Sequence, residues 1–430
     1  MTLTNNYQSM AELKSLAGKC PRCSLCKFPP LVAVRDAGFS SICPAYEVNK
    51  MHASSGGGML VMGMSLLEGR SEVTDRVRRI AQECTACGGC DIACKFSSDI
   101  EVLEVIFQLR AHIYKTAGAA PAHEAVLQSM RARLHPLVTA SGALGDWLKD
   151  VPAEQSSTPD YLLWVGPHYA LLPELRTTLT HALKLLAAGG VRYAVLGASE
   201  PYTGRAALEI GDRELFASFA RRAAAAVAAS SAKGVVCLSA EDYATFRALL
   251  PRFSAVGKPV LHVVELYDQL IRDGKLKPAK PVARALAWHD PSYLGRLSEP
   301  WTSWSGERVK TLGQMILETP PRPVNRGDHG CYDAPRRVLS RVPGLRTLEF
   351  FRRREYAFDS GECGQALAVA PGFALSTAQH RLAEARAVGA DAIVTECPQS
   401  ASMLRAAASS SDGTTTVQML TDVLFESVLA

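Results

Sequence analysis

Two stretches decide how this chain is read: Cys20-Pro-Arg-Cys23-Ser-Leu-Cys26 and, further on, Cys84-Thr-Ala-Cys87-Gly-Gly-Cys90-Asp-Ile-Ala-Cys94. Each carries thiols at i, i+3 and i+6, and each has a trailing partner, Cys43 after the first run and Cys94 after the second. Three thiols so spaced can take three corners of an iron–sulfur cube, with the fourth corner supplied from elsewhere in the fold. A structural zinc needs only four ligands and usually takes them as two separated pairs, which would leave the third cysteine of each run surplus. The doubled runs therefore predict two 4Fe–4S clusters and eight ligands: Cys20, Cys23, Cys26, Cys43, Cys84, Cys87, Cys90 and Cys94.

In two-cluster ferredoxins the fourth cysteine of one run ligates the other cluster. On that pattern Cys20, Cys23, Cys26 and Cys94 hold one cluster, and Cys84, Cys87, Cys90 and Cys43 hold the other. Closure of each run by its own trailing cysteine uses the same eight ligands, and spacing leaves both pairings open.

The remaining composition is that of an ordinary globular protein, 47% apolar and 21% charged over 430 residues, long enough for two or three cores. No apolar run approaches the ~18–20 residues that span a bilayer, and residues 1–19 lack the apolar stretch of a secretory signal. A cytoplasmic location with reduced thiols is the expectation. The formal charge is +5. A 2+ cubane with four thiolates is about 2− overall, so two clusters leave a nearly neutral molecule and no case for nucleic acid. The arginines at 76–79 and 352–354 read as solvated faces.

Residues 1–120 read as helical around the cysteine loops, with a short helix over 71–82. A Ser98/Glu101 capping box would open an apolar, buried helix over 100–113. A connector over 121–159 follows. Beyond it, short apolar strands alternate with helices: 161–165, 193–196, 235–238, 260–264, 283–288, 347–351 and 392–395. Helices lie between them over 177–188, stopped by Gly189-Gly190, and over 376–388, opened by a Ser376/Gln379 box and stopped by Gly389. This alternation argues for α/β layers, and similar stretches at 192–204 and 355–361 hint at an internal repeat. Cys237 follows an apolar strand and reads as core. Ser54-Ser-Gly-Gly-Gly58 lacks both a preceding strand and a lysine, so it is no phosphate loop.

On the stretches Cys43-Pro-Ala-Tyr46, Cys84–Cys90, His289-Asp-Pro-Ser-Tyr-Leu-Gly-Arg296, Tyr332-Asp-Ala-Pro-Arg-Arg337 and Gly389-Ala-Asp-Ala-Ile-Val-Thr-Glu-Cys-Pro398, the chain resembles the heterodisulfide reductase D-type family of Fe–S oxidoreductases. Relatives of that family include the iron–sulfur subunits of glycolate oxidase and anaerobic glycerol-3-phosphate dehydrogenase. The resemblance implies a multidomain protein: an N-terminal α-helical ferredoxin domain over 1–120, followed by two α/β cysteine-rich-type repeats over 160–280 and 281–430. The second repeat carries an insertion over 297–330. Trp301, Trp304 and Pro320-Pro321-Arg-Pro323 suit that insertion to a binding element or a lid.

The family's repeats carry a lone Cys, a Cys-Cys-Gly and a Cys-Pro-x-Cys, which together hold a cluster or a zinc. Here the corresponding positions are Pro167, Tyr202, Thr203, Ser239 and Asp242 in the first repeat. In the second they are Ser292, Asp359, Ser360, Cys397 and Ser400. Hard oxygen has replaced soft sulfur nearly throughout, so that chemistry is not expected to carry over. Cys331, Cys363 and Cys397, with His329, Asp359 or Ser292, form a candidate third metal site; ordinary buried thiols are the plainer reading.

The function so implied is an electron-transfer subunit of an oxidoreductase complex. It would relay single electrons between a flavoprotein dehydrogenase, or an electron-transferring flavoprotein, and another redox carrier. A catalytic reductase subunit using the Cys331/Cys363/Cys397 site is the alternative.

Overall fold

Strands buried on both faces read as continuous apolar runs, because a parallel sheet is covered by helices on each side. In the computed structural model, which describes residues 14–429 apart from 31, 35, 152–154, 301, 303, 314 and 412–414, such runs form two four-stranded parallel sheets. The first contains β1 (Tyr161–Trp164), β2 (Tyr193–Val195), β3 (Gly234–Cys237) and β4 (Val260–His262), in the order β2-β1-β3-β4. The second contains β5 (Ala285–Trp288), β8 (Arg346–Glu349), β9 (Ala392–Thr395) and β10 (Thr416–Met419), in the order β10-β9-β5-β8. Numbered within its own unit, each sheet has its first strand flanked by the second and the third, with the fourth outside the third. Strand order reverses between β1 and β3 and between β5 and β9, where open α/β sheets leave a crevice at the carboxyl ends.

All seven expected strands are present within a residue or two at their ends. β10 has no counterpart among them. Neither has the antiparallel hairpin of β6 (Glu307–Thr311) and β7 (Met315–Thr319) inside segment 297–330. Both expected capping boxes are absent. The helix Val102–Ala117 starts at Glu101 without a side-chain cap, because the Glu101 carboxylate is taken by Lys95 Nζ at 2.6 Å. The helix Pro371–Ala387 begins five residues before Ser376, with proline in its first turn, where a missing N–H costs nothing.

The N-terminal unit is helical. Val105, Ile106, Leu109 and Ile113 of the helix Val102–Ala117 are buried, and this helix packs on both Gly56–Leu67 and Arg205–Ile210. One apolar core runs through both sheets and includes Ala86 and Cys87, so the second cysteine loop is seated among the α/β units. Among the described residues no helix is long and apolar enough to cross a membrane.

Candidate iron–sulfur site

The two cysteine runs adopt the same local backbone. The residues flanking the middle cysteine are left-handed in each: Arg22 (φ 59°) and Ser24 (φ 67°) around Cys23, Ala86 (φ 48°) and Gly88 (φ 77°) around Cys87. Left-handed backbone is uncommon for residues other than glycine and is held only where the surroundings demand it. Its repetition at matched positions turns both runs into tight loops that gather three thiols.

Cys20, Cys23, Cys26 and Cys94 line one cavity, together with His52, Gly57, Leu60 and Val102. Cys94 reaches it from the end of the helix Gly89–Cys94. Cys43 stands at the start of the helix Pro44–Asn49 and lies close enough to Cys84 and Cys87 for their charges to interact; Cys90 is likewise within reach of Cys43, Cys84 and Cys87. The fold therefore brings each trailing cysteine to the other run. All four members of this second set are buried, whereas Cys23 of the first is exposed.

Several features fit these sets to iron cubes. Burial, and then the neighbouring thiols, push the Cys43 thiol well up; burial raises Cys90 likewise, and Cys84 up to about 11. Four thiolates packed together out of water require a cationic core. Donors are aimed at sulfur: Gly57 N–H to Cys26 Sγ at 3.2 Å and Ala86 N–H to Cys84 Sγ at 3.3 Å. The Gly56–Leu67 helix, capped by Ser55 through the Gly58 N–H, opens between the two sets. A Cβ on Gly56 would lie 2.8 Å from the Cys90 Cβ and 3.2 Å from its Sγ; one on Gly57 would lie 3.1 Å from the Cys26 Sγ. Consecutive glycines thus face opposite sets, and the positive end of the helix dipole adjoins both.

Two buried arginines fasten the second loop. Arg110 donates to the carbonyls of Ala81, Cys84, Glu209 and Gly364. Arg296 donates to the Cys87 carbonyl at 2.5 Å and to that of Ala357 at 2.6 Å. Both cations stand beside thiols, where they offset cluster charge.

Residues 16–98 match the 4Fe-4S dicluster domain family. The probable iron-sulfur-binding oxidoreductase FadF of Bacillus subtilis is 24% identical over 332 residues, 75% of this chain and 42% of FadF. The D-type component of the dihydromethanophenazine:CoB–CoM heterodisulfide reductase of Methanosarcina mazei is 27% identical over 326 residues, 73% of this chain and 70% of that component. Over most of its length the chain is similar to heterodisulfide reductase D-type Fe–S oxidoreductases. It spans less than half the length of FadF. In fold it is similar to a hypothetical protein from Helicobacter pylori, with a TM-score of 0.50 at 12% identity over 87% of this chain and 68% of the other.

The crevice of the second sheet is filled by polar side chains that satisfy one another. Ser292 donates to Asp359 at 2.7 Å, Ser360 and Ser400 donate to Glu362 at 2.6 and 2.8 Å, and His289 meets Ser360 at 3.1 Å. Burial, and then Asp359, push the Glu362 carboxyl up to about 7. Among the described residues, Asp359, Glu362 and Cys363 form one of two groups whose potential ligand atoms lie within 4.8 Å of one another, the other being Glu299, Asp328 and His329. Cys331 and Cys397 belong to neither. Cys331 instead adjoins Tyr243, Glu265 and Arg247, and Cys397 donates to Gln399 at 3.4 Å. The candidate trio of Cys331, Cys363 and Cys397 does not appear as one group among the described residues, and Cys331 precedes a helix that packs toward the first unit.

Described residues of segment 297–330 pack on the N-terminal unit. Gly327 packs on Ile92, Arg322 pairs with Asp99, and Arg326 lies 6.0 Å over the Phe96 ring, so the segment clasps the ferredoxin unit. Trp301 lies outside the described residues. Gly56, Gly57, Arg110 and Arg296 are site residues that cysteine spacing does not announce. For the two glycines, three successive glycines behind a serine were an available signal of a helix opening that something approaches closely; Arg296 closes one of the stretches that carry the resemblance.

Proposed function

We propose that the chain is an electron-transfer subunit with two 4Fe–4S clusters, one on Cys20, Cys23, Cys26 and Cys94 and the other on Cys84, Cys87, Cys90 and Cys43. The carrying observation is the meeting of the two cysteine sets across Gly56 and Gly57. Bound there, the clusters supply one-electron carriage between separate redox partners. The chain's own residues hold and insulate the sites, donate N–H groups to sulfur and set positive charge beside the inner one. The resemblance and the one-electron chemistry point to a flavoprotein dehydrogenase or an electron-transferring flavoprotein as partner within a hetero-oligomeric complex. The units over 160–280 and 281–430 are degenerate cysteine-rich-type repeats serving as scaffold; their shared strand order and the self-satisfied crevice of the second support this.

The rival, a catalytic reductase with a third metal, draws on the Asp359/Glu362/Cys363 group. Hydrogen bonds already occupy those carboxylates, which favours the scaffold. A metal count on anaerobically prepared protein decides: about eight irons and no zinc supports the relay, while about twelve irons, or eight with one zinc, supports the rival. A colourless protein without iron overturns both.

A further inference from the structure

We propose that the surface around Cys23 docks a one-electron carrier protein whose own redox group is ringed by carboxylates, an inference that rests on the two-cluster reading above. Cys23 is the one exposed thiol among the eight cysteines of the two sets. Two apolar side chains stand beside it. Leu25, two residues further on, is 40% exposed. Phe96 is 50% exposed and precedes Ser97, whose hydroxyl lies 3.5 Å from the Cys23 sulfur. Electron-transfer encounters use small interfaces, and a patch of this size over an open ligand sulfur is enough for one.

Charge chooses the partner. Residues 14–35 carry five cations, Lys14, Lys19, Arg22, Lys27 and Arg35, and no carboxylate. Lys19 and Arg22 are exposed around Cys20, and Lys27 is half-buried. Arg22 lines the cavity of the outer set, which no carboxylate lines. Lys27 lies 4.6 Å over the Tyr46 ring and reaches the Ser24 hydroxyl at 3.4 Å. Lys19 shares a hollow with Asp99 and Glu318, but those acids are already engaged: Asp99 with Lys95 at 3.0 Å and with Arg322, Glu318 with Arg322 at 3.5 Å. Among the described residues Lys19, Arg22 and Lys27 form no ion pair.

Uncompensated positive charge is thus gathered where a ligand sulfur is open to solvent. The bound cluster, about 2− overall, offsets part of this charge from behind the rim and leaves the exposed side chains cationic. A surface potential of one sign steers an oppositely charged protein and fixes its orientation, which here brings the partner's redox group to Cys23. The exchange is of one electron, lost by one protein and gained by the other, with no bond made and no proton moved. An anionic lipid surface would meet the same cations, but the centring of the patch on a ligand sulfur favours the carrier.

The test is calorimetric titration of the full, oxidised, iron-loaded chain with oxidised flavodoxin, an acidic one-electron carrier, and separately with mitochondrial cytochrome c, a basic one. We expect saturable binding of flavodoxin that weakens at least tenfold between about 0.02 and 0.3 M salt, and cytochrome c bound at least tenfold more weakly. Lys19→Glu joined to Arg22→Asn should weaken flavodoxin tenfold or more with iron content unchanged. Phe96→Ser should weaken it severalfold and leave the salt dependence as it was, since it removes contact without charge. Absence of saturable heat at low salt, binding indifferent to salt, cytochrome c bound as tightly, or wild-type affinity in both variants overturns the inference. Tighter binding of phosphatidylserine vesicles than of flavodoxin overturns it as well. If a variant loses iron, the salt dependence of the wild type decides. An iron count on the titrated sample separates the two readings: iron present without binding sinks the docking surface alone, whereas iron absent sinks the clusters and the docking with them.

Discussion

Gly56 and Gly57 leave no room for a side chain where the two cysteine sets meet. A methyl group at 56 meets the Cβ of Cys90 and the Cγ1 of Val102, each at 2.8 Å, whereas one at 57 meets the Cys26 sulfur first, at 3.1 Å. Overpacking of this kind costs about 1–3 kcal/mol. Gly56→Ala is therefore expected to lower the denaturation midpoint and to disturb the electron paramagnetic resonance signal of the inner set first. Gly57→Ala should act on the outer set with a smaller loss of stability. Variants with wild-type iron content, spectra and midpoints would show that the helix opening does not abut the ligands. The gathering of the cysteines into two sets was legible from spacing, since the i, i+3, i+6 pattern brings three thiols to one loop. The glycines were not, because what they approach comes from more than thirty residues away in the chain.

Elements differed in how plainly the sequence announced them. β3 and β9 are buried on both faces, so an unbroken apolar run betrays them. β10, Thr-Val-Gln-Met, alternates between exposed and buried positions at a sheet edge, and four residues of alternation are too few to stand out. The β6–β7 hairpin hid behind its charges, although its Val309↔Leu317 pair across Gly313 was a readable signal. The end of β9 also carries a pH-sensitive group. Burial pushes the Glu396 carboxyl up to about 8, where it meets the Thr421 hydroxyl and N–H. An unfolded Glu releases its proton near ~4.3, so between these values the folded state binds the extra proton. This contribution to stability is full below that range and is lost as pH rises through about 8. Glu396→Gln, neutral throughout, should flatten this slope and exceed the wild type by about 2–5 kcal/mol above pH 9. Denaturant midpoints at pH 5, 7 and 9 that run parallel in the two proteins would refute it.

Across the whole molecule, Arg110 joins all three units. Its guanidinium holds carbonyls of the ferredoxin unit (Ala81, Cys84), of the first α/β unit (Glu209) and of the second (Gly364). Nothing local in its apolar helix reveals that Arg110 is 1% exposed. Arg110→Met should cost about 3–5 kcal/mol, since several buried carbonyls lose their donor together, and should reduce iron content by emptying the inner set before the outer. Chemical denaturation read alongside iron analysis checks this, and a variant that unfolds like the wild type with full iron would remove Arg110 from the assembly. The α/β architecture was legible from alternation alone. The clasp of segment 297–330 on the ferredoxin unit was not, because its contacts (Gly327 on Ile92, Arg326 on Phe96) are set by tertiary packing and leave no periodic trace.

The unequal cover over the two cysteine sets has a consequence for how the molecule ages. Cys23 is open to solvent and Cys20 partly so, while Cys43, Cys84, Cys87 and Cys90 are enclosed by protein. Dissolved oxygen and peroxide meet the outer sulfurs first, so corrosion begins at the rim and works inward, and the enclosed set outlasts the one that greets the solvent.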